Sequence, residues 1–131
     1  MEVIKKDKII TKIDEKGDEV RHYFLFDTFE LIITELPPKY AQPPHYHKET
    51  IELYYVIDGI MVAQEGNERV KLSQGEAVCF KPSHRFHLIK NPTKDKLIIA
   101  TFKTPLLSGS YRKVFQKDKV IKDSSQDKEV G

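Results

Sequence analysis

An all-β sandwich or barrel is the fold class this sequence predicts, on three observations. β-Branched and aromatic residues gather in runs of strand length, turn signals separate those runs at short intervals, and no segment carries a sustained helical stripe. With 131 residues and 39% hydrophobic content, the chain has material for one compact core and no room for a second.

Each element follows in order. Near the N-terminus Val3, Ile4, Ile9 and Ile10 form a first apolar cluster, able to add a strand to a partner's sheet or to close the chain's own. "HYFLFDTFELIITEL" begins the main series at His22, and "IELYYVI", "IMVAQ", "RVKL", "EAVCF", "FHLI" and "KLIIATF" continue it to Phe102. The breaks between them are "ELPPKYAQPP", Asp58-Gly59, "EGN" at Glu65, "SQG" at Ser73, "KPSH" at Lys81 and "NPTKD" at Asn91. "LLSGSYRKVF", Leu106 to Phe115, has room for one short helical turn. One domain over residues 1–115 is the expected organisation. The stretch 116–131 is rich in Lys, Asp, Ser and Gln and reads as a mobile tail unless a neighbouring subunit holds it.

Charge and cysteine content exclude several classes. Lys and Arg total 22 against 20 acidic groups, a formal charge of +2, so no single-sign field points to nucleic acid or to an anionic membrane. A small-molecule partner is expected instead. Cys79 is the only cysteine, which rules out an internal disulfide framework, and within "AVCF" it reads as a small buried hydrophobe. "MEVIKKDKII" has no long apolar run, and the expected location is cytoplasmic.

The stretch "PPHYHKETIELYYVIDG" carries the chemistry. Residues two apart in a strand share a face, so His45 and His47 project together. Glu52 lies an odd number of residues beyond His47 and joins that interior only if the chain bends at Lys48 to Thr50, the carboxylate then coming from a neighbouring strand. Beyond it, "LYYVI" has large apolar groups on both faces, which fits a strand buried on one side and covered on the other. A further histidine, His87, stands inside the apolar run of "CFKPSHRFHLIKN". Three imidazoles and one carboxylate are a borderline-to-hard donor set suited to Mn, Fe, Ni, Co or Zn. Glu49, the rival to Glu52, reads as a solvated bend residue, and His22 as structural or exposed.

These segments resemble the two motifs of the cupin superfamily, covering about the central half of the chain. In the first, about residues 39–59, His45, His47, Glu52 and Gly59 fall in register; Lys39 stands where the family has an opening glycine, so the turn there must be made differently. In the second, about residues 75–91, Gly75 opens, His87 is the ligand and Asn91 follows. The usual Pro-x-Gly turn is replaced by "KPSH", which brings His84 or Arg85 toward the mouth of the site.

The resemblance implies a double-stranded β-helix, a jelly-roll-like barrel, with one divalent transition metal per chain on His45, His47, Glu52 and His87, Mn or Fe ahead of Ni, Co and Zn. It also implies a homodimer. Tyr54 shares the parity of Glu52 and, with Arg85, is a candidate for a catalytic role. Four protein ligands leave positions for substrate, so the expected function is that of a dioxygenase-type oxidoreductase on a small enolate, catechol or oxo acid. The aromatic supply of Tyr40, Tyr46, Tyr54, Phe80 and Phe86 leans the same way. The alternatives are a redox-neutral isomerase, lyase or decarboxylase on a sugar acid, whose site wants amide and guanidinium groups, and a binding module without turnover.

Overall fold

The computed structural model describes residues 1–104 and 118–122, and the backbone of 127–130. Two six-stranded antiparallel sheets face each other. The first runs in the order β1 (Ile10–Ile13), β2 (Val20–Leu25), β3 (Glu30–Leu36), β10 (Leu97–Thr104), β5 (Ile51–Asp58), β8 (Ala77–Phe80). The second is β12 (Asp127–Val130), β11 (Lys119–Lys122), β4 (His45–His47), β9 (His87–Lys90), β6 (Ile60–Glu65), β7 (Glu68–Ser73). Successive strands repeatedly change sheet, which gives the double-stranded β-helix that the motifs implied. N-terminal β1 pairs with β2 of its own sheet, in register Ile10 with Tyr23.

Alternation decides which side chains meet inside. Along β3 the residues Glu30, Ile32, Thr34 and Leu36 are buried, and along β5 it is Glu52, Tyr54 and Val56. Leu36, Val56, Met61, Ile89, Leu97 and Ile99 form the apolar floor of the barrel, closed by Tyr54 and Phe80. Each such side chain removed from water contributes on the order of 1.5–3 kcal/mol.

The outward row of β5 departs from expectation. Ile51, Leu53, Tyr55 and Ile57 are 36–43% exposed, so nothing within the described chain covers that face. Cys79 is also exposed rather than buried, because Val78 and Phe80 take the inward positions of β8. Asp118 is buried and β11 pairs with β4, so these residues do not belong to a mobile tail. Val120 explains why: it is buried opposite Tyr46, an apolar anchor within an otherwise charged stretch. The helical turn expected at 106–115 lies outside the described residues.

Two turns fix how the chain reaches the site. Lys39 adopts φ 62°, the left-handed conformation that a glycine would supply, with Pro38 before it and the Tyr40 amide donating to the Pro37 carbonyl at 3.3 Å. The Lys39 ammonium donates to the Pro92 carbonyl at 2.8 Å, which ties the turn to the loop after β9. At Gly59, where the chain crosses from the first sheet to the second, φ is 106° and a Cβ would sit 3.1 Å from the Lys96 carbonyl oxygen.

Leu97→Ala, at a fully buried position, is expected to cost about 2–5 kcal/mol in urea unfolding, whereas Val70→Ala on the exposed face of β7 should cost less than about 0.5 kcal/mol. Equal costs at the two positions would show that the barrel interior is not where stability resides.

Candidate metal centre

Four of the side chains singled out in the sequence meet in the barrel interior. His45 and His47 lie on β4 and His87 on β9, with His45 and His87 directly paired in register across the two strands. Glu52 comes from β5 in the facing sheet, because the chain bends at Lys48 to Thr50 between β4 and β5. All four are about 1% exposed. Glu52 Oε1 lies 2.8 Å from His87 Nε2, 3.3 Å from His47 Nε2 and 3.4 Å from His45 Nε2. The ligand atoms of His45, His47 and Glu52 all lie within 4.8 Å of one another.

Hydrogen bonds at the far ring nitrogens fix two tautomers. His45 Nδ1 is 3.0 Å from the Pro43 carbonyl oxygen, and His47 Nδ1 is 2.9 Å from Asp118 Oδ1. Both oxygens are acceptors, so each Nδ1 carries the proton and donates. In the neutral rings the Nε2 atoms then present lone pairs to a carboxylate oxygen, and among the described residues the Nε2 of His45 finds no hydrogen-bond donor. Buried lone pairs facing a carboxylate oxygen at these distances suit a positive centre between them. His45, His47 and Glu52 thus form a buried cluster compatible with one metal ion, and His87 stands beside it, its Nε2 within hydrogen-bond distance of Glu52 Oε1 at 2.8 Å.

The surroundings hold this arrangement in place. Phe80 stacks on the His87 ring at 4.0 Å with an interplanar angle of 5°. Tyr54 donates its hydroxyl to Glu52 Oε2 at 3.0 Å and accepts from Gln42 Nε2 at 3.3 Å, while Lys103 Nζ lies 3.7 Å from the same carboxylate oxygen. Burial alone would favour the neutral acid, but the facing histidines and Lys103 outweigh it and keep the Glu52 carboxyl well below the usual range. Burial, followed by the Glu52 charge, holds the Tyr54 phenol well above its ordinary value, so Tyr54 is a fixed donor that orients the carboxylate.

Asp118 is the functional residue that the sequence reading missed. Besides accepting from His47, its Oδ2 accepts from the backbone amides of Glu49 and Thr50 at 3.0 and 2.8 Å, and its own carbonyl accepts from Lys48. One side chain thus orients a ligand and pins the bend that delivers Glu52. Burial opposes ionisation of Asp118, but its bonds to His47 and Thr50 prevail and its pKa is lowered. Burial lowers His45, and would lower His47 too, had Asp118 and Glu52 not raised it above the ordinary imidazole value. No local signal marked Asp118, since it sits in a polar run far along the chain from its partner.

Beside the centre lies a cavity of about 300 Å³ whose wall includes His45 and Glu52. Tyr40 and Gln42 also line it, and Arg21, Lys103 and Lys119 bring three cationic side chains. Burial first, and then the charge of Lys103, brings the Lys119 ammonium down to about 8. His84 and Arg85 are exposed and do not line this cavity: the His84 ring packs 5.4 Å from Tyr46, and Arg85 lies 3.9 Å from Glu65. Tyr46 and Phe86 face the opposite way, ring against ring at 5.0 Å, because their neighbours take the inward positions. Among the five aromatics expected at the pocket, Tyr40 alone lines this cavity.

Comparison with known proteins agrees with the architecture. The profile of the Cupin domain family matches residues 32–102, more than half of the chain, and the chain belongs to that family. No curated protein matches it in sequence. Among solved structures, a cupin-superfamily sugar phosphate isomerase from Silicibacter pomeroyi superposes with a TM-score of 0.68 at 15% identity, over 97% of this chain and 90% of that one. The protein TT1209 from Thermus thermophilus gives 0.64 at 21%, over 80% and 98%. KdgF from Halomonas sp. gives 0.64 at 19%, over 79% and 93%. At these identities the likeness is one of fold. No helix among the described residues is long and apolar enough to cross a membrane.

Metal titrations followed by calorimetry from about pH 8 to about pH 5 should show affinity falling through the imidazole range near 6.5, since bound imidazole must be neutral. Asp118→Asn should bind metal about 10–100-fold more weakly at the upper end of that range, where proton competition is small. A variant with unchanged affinity would remove Asp118 from the site.

Proposed function

We propose that the chain is a metal-dependent enzyme that carries out a redox-neutral conversion, of isomerase, lyase or decarboxylase type, on a small sugar-derived substrate. The observation that carries the metal is the pair of buried Nε2 lone pairs of His45 and His47 aimed at one oxygen of Glu52. A divalent ion bound there supplies Lewis acidity toward a hydroxyl or carbonyl oxygen of the substrate. The choice of redox-neutral chemistry over the dioxygenase type rests on the cavity wall. It offers the guanidinium of Arg21 and the phenol of Tyr40 to a substrate, where an apolar or planar molecule would want aromatic faces. Two of the residues act behind the site rather than in it. Gln42 holds Tyr54, and Tyr54 holds Glu52 Oε2, which leaves Oε1 turned toward the histidines. The sugar phosphate isomerase from Silicibacter pomeroyi, which shares the fold, supports this reading by its activity alone.

The homodimer belongs to the same proposal. Its support is the outward row Ile51, Leu53, Tyr55 and Ile57, an apolar face that a second copy would cover. Sedimentation velocity is expected to give a dimer for the wild type and a monomer for Leu53→Glu; a monomeric wild type removes the dimer.

Elemental analysis should find close to one transition-metal ion per chain. Turnover of a panel of sugar acids and sugar phosphates should proceed equally with and without oxygen. Loss of turnover under anaerobic conditions would favour the dioxygenase type instead. Tight reversible binding with no turnover by the metal-loaded protein would favour a binding module.

A further inference from the structure

The cavity beside the metal centre is unusual in its charge. Arg21 reaches it from β2, Lys103 from β10 and Lys119 from β11, so both sheets bring cations to one space. Among the described residues, the only acidic side chain in its wall is Glu52, which the metal reading commits to the centre. Arg21 is already paired with Glu19, which steadies the guanidinium beside Tyr40 at the wall. The Lys103 side chain is only 15% exposed, and Lys119 is half-buried. A divalent ion on one carboxylate adds further positive charge to the same space. Like charges gathered away from water are costly unless an anion completes them.

We propose that the substrate is anionic, with a carboxylate or phosphate group held by Lys103 and Lys119 within reach of Arg21, while its hydroxylated end faces His45 and Glu52. This deepens the functional reading above and rests on it. A cavity of about 300 Å³ lies at the small end of ligand sites and limits the molecule to about the size of a single sugar unit. Lys119 and Ile121 point into the cavity from the same strand that Asp118 opens. Asp118 and β11 together therefore both orient a candidate metal ligand and supply a substrate contact.

Calorimetric titration of the manganese-loaded chain tests this with inorganic phosphate, gluconate, glucose 6-phosphate and neutral glucose. At least one of the two charged sugars is expected to bind about tenfold or more tightly than glucose, and the stronger of them identifies the group as carboxylate or phosphate. Lys119→Gln and Arg21→Gln should each weaken the charged ligand by up to about tenfold while leaving metal content unchanged, and added salt should weaken it in the wild type. Glucose binding as tightly as both charged sugars, or no charged probe binding at all, would overturn the proposal. So would charged ligands bound equally by wild type and both variants, since that places the anion on the metal alone. Elemental analysis of the same samples separates the two readings: a chain that takes up no metal fails the functional proposal, while phosphate binding that depends on Lys119 still supports the anion site.

Discussion

Glu52 reaches across the barrel from one sheet to three histidines on the other, and the rest of the site is arranged around that contact. Two fixed imidazole tautomers turn lone pairs toward its Oε1, while Tyr54 and Lys103 occupy its Oε2. Without a positive centre, the buried lone pairs and the carboxylate would oppose each other in a low-dielectric interior. The same contact joins the two sheets at their polar end, as Leu36, Val56 and Leu97 of one sheet with Met61 and Ile89 of the other join them at the apolar end. A metal bound there would couple to the fold through a single carboxylate.

The outer ring of support is less symmetrical than the ligand set. His45 leans on a backbone carbonyl two residues away, which any rearrangement of the Pro43-Pro44 segment would carry along with it. His47 depends on Asp118, 71 positions distant in sequence. The bend at Lys48 to Thr50 depends on the same carboxylate and on the backbone carbonyl of the same residue. Displacing β11 would therefore disturb ligand orientation, Glu52 delivery and the cavity wall together. A polar, charged stretch without a helical or strand-like pattern carried all three duties.

β5 shows how one strand serves two surfaces. Its inward residues pass from ligand (Glu52) through orienting donor (Tyr54) to core (Val56), while its outward residues form an apolar row open to contact. Alternation alone produces this division, and a one-residue slip in register would exchange the two faces. The bend before β5 sets that register by changing the parity between His47 and Glu52.

By itself the sequence determined the strand-and-turn cadence, the shared face of His45 and His47, and the need for a bend before Glu52. These are consequences of local spacing, and spacing survives without coordinates. The opening turn was half legible: the absent glycine showed at Lys39, but only the structure shows that a lysine adopts φ 62° there, tied through its ammonium to Pro92. Tertiary structure alone decided the partners. Asp118, Arg21, Lys103 and Lys119 come from segments that carry no motif, and Tyr46, Phe86, His84 and Arg85 were turned away from the cavity by strand parity and loop placement. A motif records which side chains share a short segment; the closing of two sheets records which distant ones share a space.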